Sequence, residues 1–360
     1  MTTPSRTPLL EVRSLRKYFP IQKGFFKKTI GNVRAVDDVS FFIEEGETLG
    51  LVGESGCGKT TTSRCVVRAI APSSGQMLYR TREGKVVDLA TLDRAALRPL
   101  RPQMQMIFQD PYSSLSPRMN LFEIVGEPLL VNGMTNRKER TDRVAEMLQL
   151  VGLRPEYMQR FPHAFSGGQR QRIGIARALS LHPRLVVADE PVSALDVSVQ
   201  AQILNLLLDL QERLNLTYIF VAHNLGVVKH ICDRVAVMYV GKLVEMAQTG
   251  ELFHRPRHPY TAALMAAVPV ADPRVQTGDM ELKGEVPSPA NPPSGCYFHP
   301  RCAFAEEVCR AQPPDFREIG RGHFVACHRA EEIDLPGISL ACQPVPSLTA
   351  SRDGATAADP

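Results

Sequence analysis

This 360-residue sequence carries little excess charge: 42 Lys and Arg against 38 Asp and Glu leave a formal net charge of +4. That excludes a strong electrostatic case for nucleic acid as the main partner. No apolar run approaches the roughly eighteen residues that span a bilayer, so any part in a membrane process is expected to come through partner chains. The first residues, MTTPSRTPLLEVRS, lack the basic-then-apolar pattern of a secretory signal, and the chain is expected to work in the cytoplasm. No internal repeat is visible, which argues for one core domain and against two fused copies. Eight cysteines would suit a disulfide framework in a small secreted chain, but their layout does not. Cys57, Cys65 and Cys232 are scattered, whereas Cys296, Cys302, Cys309 and Cys327 crowd one late stretch, with Cys342 just beyond. In a reducing compartment such crowding points to metal before disulfide.

What is present is an ordinary globular composition, 44% apolar and 22% charged, in a chain long enough for a large domain with an appendage. LLEVRSLRKYF (9–19) reads as a strand and 21–34 as a loop carrying Lys23, Lys27 and Lys28. Residues 35–53 read as two strands about the turn EEGE, the second of them, TLGLV, apolar enough to be buried on both faces of a parallel sheet. A helix is expected from Lys59, ended by PSSG (72–75). From about Asp110 to Phe165 the pattern is mostly helical, with Val144, Met147, Leu148 and Val151 on one face of 139–153. Then follow a strand (184–189), an amphipathic helix (199–214), a strand (217–223) and a hairpin (233–246). This alternation predicts an open α/β sheet with an inserted helical block. Beyond Pro256 prolines multiply, and the tail from about 343 to 360 is expected to be disordered.

GESGCGKT (53–60) completes the pattern G-x-x-x-x-G-K-[ST] between a buried strand and a helix. Gly53, Gly56 and Gly58 let backbone N–H groups turn inward as an anion nest, and Glu54, Ser55, Cys57 and Thr61 complete the loop and its first helical turn. The helix adds its positive end, Lys59 is expected to reach the β- and γ-phosphates, and the Thr60 hydroxyl to coordinate Mg²⁺. The ion needs a carboxylate at a neighbouring strand end, and VVADE supplies Asp189. Glu190 beside it is placed to orient and deprotonate the attacking water. His223, at the end of the next strand, could sense the γ-phosphate by a hydrogen bond. A lone histidine after a strand is usually a bland feature; here the strand order favours function.

A second glycine-rich loop, FSGGQRQ (165–171), also opens a helix but has no following Lys-[ST] and no preceding strand. Its serine hydroxyl, glycine N–H groups and helix N-terminus suit the exposed γ-phosphate of a nucleotide held by another surface.

A phosphate loop, then SGGQ, then Asp-Glu about twenty residues later is an order that resembles the ATPases of ABC transporters. QRQRIGIARALSLHPRLVVADEPVSALDVSVQAQILNLLLDLQ, VAHNLGVV, DRVAVMYVGKLVE and RHPYTAAL narrow the resemblance to the ATPase subunits of bacterial oligopeptide/dipeptide importers, more like the second of their two ATPases. It covers roughly 9–330. It implies a P-loop NTPase (RecA-like) α/β core with an antiparallel β subdomain and an inserted α-helical subdomain. The corresponding bounds are 9–255 for the ATPase domain, about 110–170 for the helical part and 256–335 for a small Cys-rich C-terminal extension. The resemblance makes Gln109 the Q-loop glutamine touching Mg²⁺, Ser166, Gly167, Gly168 and Gln169 the signature loop, and Asp196 the D-loop aspartate. His223 becomes the switch histidine, and Phe19 the aromatic on adenine, with Tyr18 the neighbouring alternative. It also implies a second, related ATPase packed head to tail, two permease subunits, an extracytoplasmic solute-binding protein and a peripheral place on the cytoplasmic face of the membrane. Phe165 stands where leucine is commoner and Asn224 where aspartate is usual; neither removes a phosphate-touching group. The solute is expected to be a di- or oligopeptide, with nickel, glutathione or another peptide-like compound as the alternative. A soluble, non-transport ABC ATPase is the further alternative.

Cys296, Cys302, Cys309 and Cys327 are spaced C-x₅-C-x₆-C-x₁₇-C. Four thiolates can hold Zn²⁺ or an iron–sulfur cluster. The tight C-x₂₋₄-C knuckle usual for structural zinc is absent, and the resemblance extends to relatives with such a motif, some of which bind [4Fe–4S]. The expectation is therefore iron–sulfur first, with zinc and free packing thiols as equal alternatives and His299, His323 and His328 as incidental neighbours.

Overall fold

The computed structural model describes residues 8–24, 28–267, 282 and 284–337; the expected tail at 343–360 and Cys342 lie outside them. Two sheets form the body. The smaller has the order β2-β1-β4-β5, from β1 (Leu10–Lys23), β2 (Lys28–Ile43), β4 (Ser74–Arg80) and β5 (Val86–Asp88). The larger has the order β11-β12-β10-β9-β3-β8-β7-β6. Its members are β3 (Thr48–Val52), β6 (Met104–Ile107), β7 (Leu185–Asp189), β8 (Thr217–Val221), β9 (Arg234–Tyr239), β10 (Lys242–Gln248), β11 (Arg317–Gly320) and β12 (His323–Val325). Strands β6, β7, β8, β3 and β9 run parallel. Every residue of TLGLV, LVVAD and TYIFV is buried, as strands covered on both faces require.

The loop expected at 21–34 is instead the far end of a long hairpin: Ile21 pairs Gly31 and Lys23 pairs Lys28. Its polar residues misread as a loop because this arm projects with exposed side chains, so period-2 burial carries no signal there. Lys27 lies outside the described residues.

The helical block is as expected. The helix Leu121–Val131 opens on a reciprocal cap between Asn120 and Glu123, and Arg137–Leu150 on an Asn136 cap. Val144, Met147, Leu148 and Val151 all enter the core. The C-terminal extension is less separate than its composition suggests. Strand β12 pairs β10 at Glu245–Val325 and Met246–Phe324, so the extension continues the main sheet. Glu245, fully buried, accepts from the backbone N–H of Arg257 (2.6 Å) and His258 (3.0 Å) and stands 2.7 Å from His323 Nε2. Those partners offset the cost of burying a carboxylate.

Candidate nucleotide site

Sheet order alone brings the predicted residues into one row. Gln109 follows β6, Asp189 ends β7, Glu190 is the next residue, His223 lies just past β8, and the 53–60 loop leaves β3. With strands about 4.8 Å apart, these carboxyl-terminal ends form the crevice where open α/β sheets bind ligands.

In the 53–60 loop, Gly53 (φ +146°) and Gly58 (φ +106°) adopt left-handed backbone that other residues avoid. A Cβ on either would lie 2.2 Å from a backbone oxygen, of Met238 or of Ala35. Gly58 precedes the helix Lys59–Val66 and offers it no side-chain cap, which leaves the helix's first N–H groups for an anion. Lys59, only 5% exposed, folds back onto the loop: Nζ donates to the carbonyls of Gly53 (2.7 Å) and Glu54 (2.9 Å). The Thr60 hydroxyl donates to Asp189 Oδ1 at 3.0 Å. Burial pushes the Asp189 carboxyl up from its usual range, against the Thr60 hydrogen bond and nearby Arg64. The side chains of Thr60, Asp189 and Gln109 are an oxygen-donor set, the chemistry Mg²⁺ takes.

Three predicted residues meet on one atom. Gln109 Nε2 donates to Glu190 Oε2 at 2.9 Å, and His223 Nδ1 stands 3.2 Å from that same oxygen. Glu190 itself has φ +47°, a sparsely populated conformation of the kind that gathers at functional sites. Its N–H donates to the Val221 carbonyl of β8 at 3.0 Å, which fixes the turn between β7 and Pro191.

The SGGQ loop keeps other company. Ser166 and Gln169 cap each other across the N-terminus of the helix Gly167–Leu179 (3.3 and 3.1 Å). A Cβ on Gly168 would meet Val199 Cγ1 at 2.4 Å, and one on Gly167 would touch Leu195. Asp196 precedes the helix Val197–Leu214. The loop's two glycines thus lie against Val199 of that helix and Leu195 just before it, and its serine and glutamine bond each other rather than Lys59, Asp189 or Glu190.

Tyr18 and Phe19 are separated by the pleat. The Tyr18 hydroxyl donates to Asp37 Oδ1 at 2.5 Å, whereas Phe19 is 38% exposed with Lys17 over its ring. Phe19 is the more exposed of the two rings. Asp37 and Tyr297, whose hydroxyl also donates to Asp37 at 2.9 Å, were not singled out from the sequence, nor were Tyr260 and Arg301. Only the Arg-Cys adjacency at 301–302 could have drawn attention to Arg301.

Cys296, Cys302, Cys309 and Cys327 line one hollow with His258, His299, Phe304 and His328. Burial pushes the thiols of Cys296, Cys302 and Cys327 up to about 11. Among the described residues no three His, Cys, Asp or Glu are grouped to hold a metal ion. His323 is taken by Glu245, while His299 Nδ1 and His328 Nε2 each stand 3.0 Å from a backbone oxygen.

Fold and loop together define a P-loop nucleotide-binding ATPase with a helical insertion. Residues 36–193 match the family model for the ABC transporter, and 244–309 that for the oligopeptide/dipeptide transporter C-terminal region. The chain is 52% identical over 331 residues to the oligopeptide transport ATP-binding protein AppF of Bacillus subtilis, covering 91% of this chain and 99% of that one. It is 49% identical over 321 residues to the dipeptide transport ATP-binding protein DppF of Haemophilus influenzae, covering 89% and 96%. It is also similar to a solved dimeric ATP-binding cassette in a post-hydrolysis state with ADP and phosphate, at 26% identity and TM-score 0.57, over 67% of this chain and 98% of that one. The chain belongs to the ATP-binding subunits of ABC transporters, in their oligopeptide/dipeptide branch. No helix among the described residues is long and apolar enough to cross a membrane.

Proposed function

We propose that this chain hydrolyses ATP at composite sites shared head to tail with a second, related ATPase, and that dimer closure powers uptake of di- or oligopeptides. The solute would pass through two permease subunits, delivered by an extracytoplasmic binding protein, with this chain peripheral on the cytoplasmic face. What carries the reading is the division of labour within one chain. Lys59, Thr60, Asp189, Glu190, Gln109 and His223 form one row, while SGGQ presents a helix N-terminus that none of them touches. A loop with phosphate chemistry and no phosphate partner of its own serves a neighbour's nucleotide.

In that reading Phe19 stacks on adenine, and the N–H groups of residues 53–61 and Lys59 hold the phosphates. Thr60, Asp189 and Gln109 would hold Mg²⁺, which neutralises phosphate charge when bound. Glu190 takes the proton of the attacking water; Gln109 and His223, already on its Oε2, orient that carboxylate, and His223 reports the γ-phosphate. Ser166, Gly167, Gly168, Gln169 and Asp196 complete the partner's site. The likeness in names to peptide transport proteins favours peptides over nickel or glutathione. The domain bounds 9–255 and 256–335 belong to the same proposal.

The four-cysteine hollow is proposed to seat a [4Fe–4S] cluster. Convergence of four thiols on one space supports it, with zinc as the alternative. The cluster's thiolates would anchor the extension. The test of the function is co-purification with its permeases and peptide-stimulated ATP hydrolysis in that complex. Hydrolysis indifferent to every peptide tried, with stimulation by nickel or glutathione, would replace the substrate. Iron and sulfide analysis of anaerobically purified protein decides the metal.

A further inference from the structure

We propose that Arg301 is a positioning residue for ATP, acting through Glu54 of the phosphate loop. The Arg301 side chain is 5% exposed and forks onto both carboxylate oxygens of Glu54, Nη1 to Oε2 at 2.8 Å and Nη2 to Oε1 at 3.2 Å. Nη1 also reaches the Tyr239 hydroxyl at 3.4 Å. The two residues stand 247 positions apart, one in the nucleotide loop and one beside Cys302. Nor is the fork alone. The Glu54 N–H donates to the Tyr260 hydroxyl at 2.9 Å, and Tyr260 packs on Tyr239 (4.6 Å) and on Phe298 (5.4 Å). Tyr260 and Phe298 lie, with Arg301, beyond residue 256. The extension therefore holds the side chain and the N–H of one phosphate-loop residue, while Lys59 takes its carbonyl.

The charge at Glu54 gives the grip a purpose. A carboxylate in a loop that gathers N–H donors around a polyanion repels the very ligand the loop is built for. Pairing with Arg301 on both carboxylate oxygens neutralises that charge. The guanidinium is held above its ordinary range, first by the hydrogen bond to Glu54 and against the effect of burial. Its bidentate reach is a property of arginine that lysine does not reproduce. Removing Arg301 leaves the Glu54 charge uncompensated beside the phosphates.

The test is nucleotide binding and hydrolysis by the full chain, comparing Arg301→Ala, Arg301→Lys, Glu54→Gln and the double variant Arg301→Ala/Glu54→Gln. Arg301→Ala is expected to raise the Kd and KM for ATP about tenfold, the scale of a lost charged hydrogen bond, with kcat changed much less. Arg301→Lys is expected to fall between it and the wild type. Adding Glu54→Gln to Arg301→Ala removes the repelling charge and is expected to recover most of the lost affinity, which a merely structural Arg301 would not allow. An unchanged KM in Arg301→Ala, or a double variant no better than the single, overturns the proposal. Should Arg301→Ala precipitate, Arg301→Lys with and without Glu54→Gln decides on the same criterion. Failure of the wild type to bind ATP would instead strike the ATPase reading itself.

Discussion

The two glycine-rich loops of this chain use the same residue for different physical ends. In 53–60 glycine is a backbone device: Gly53, Gly56 and Gly58 all have positive φ, and two of them lie against backbone oxygens that no Cβ could clear. In the signature loop Gly167 and Gly168 are helical, and the demand at 168 is room for Val199. The first loop is shaped to wrap an anion, the second to let two helices approach and present a helix end. Both strings are glycine-rich and open a helix; the packing shows that the first turns its backbone through positive φ, while the second keeps helical glycines against Leu195 and Val199.

The sharpest separation of the two is chemical. Glu190→Gln keeps the hydrogen-bonding shape around Gln109 and His223 but removes the base, so turnover is expected to fall about 10²–10⁴-fold with ATP binding retained and a closed dimer accumulating. Phosphate release and size-exclusion chromatography with ATP measure both halves. Undiminished turnover removes Glu190 from the reaction. Next in size is Ser166→Ala. Losing one donor to a charged phosphoryl group costs about 10²-fold in turnover, yet the chain alone should bind nucleotide as before, because Ser166 touches none of the phosphate-loop residues. A binding defect in the isolated chain would merge the two loops into one site and undo the comparison.

Gly168→Ala probes the packing side of the contrast. The added methyl meets Val199 Cγ1, and overpacking of this kind costs about 1–3 kcal/mol, read as a lower Tm. Val199→Ala in the same chain should return most of the stability. If it returns stability without hydrolysis, the close approach of the two helices, and not mere room, is what hydrolysis needs.

The cassette was legible because its chemistry is local: eight consecutive residues make the cradle, and buried strands spell themselves as TLGLV, LVVAD and TYIFV. Sheet order then did the rest, setting Gln109, Glu190 and His223 on one oxygen although 114 positions separate the first from the last (223 − 109). The strained φ of Glu190 had no sequence signal, since glutamate is not a residue that announces left-handed backbone. The extension was legible in its cysteines and illegible in its attachments. The β12–β10 pairing rests on His323–Val325, three residues too short for a periodic pattern, and the Tyr297, Tyr260 and Arg301 contacts are long-range hydrogen bonds whose partners, Asp37 and Glu54, no local pattern names.

The smallest expected effect tests how the extension is fastened to β1 and β2. Asp37, buried, accepts from the hydroxyls of both Tyr18 and Tyr297. Burial opposes its charge, but the two hydroxyls, Lys242 and Arg34 outweigh that and hold its carboxyl below the usual range. A carboxyl depressed in this way adds stability that is fully present above its unfolded value of about 3.9. That stability is lost as pH falls through the lower folded value. Tyr297→Phe removes one donor and should cost about 1 kcal/mol at neutral pH, seen as easier proteolysis of the extension and a slightly lower Tm. Because the bond is made to the ionised carboxylate, the gap between wild type and Tyr297→Phe should stay constant from neutral pH down to about 4 and close only below it. A gap that is unchanged under more acidic conditions would mean that the Tyr297 hydroxyl acts through another partner, Arg34, whereas no gap at neutral pH would mean that Tyr297 holds the extension by ring packing alone, with Lys242 over its face.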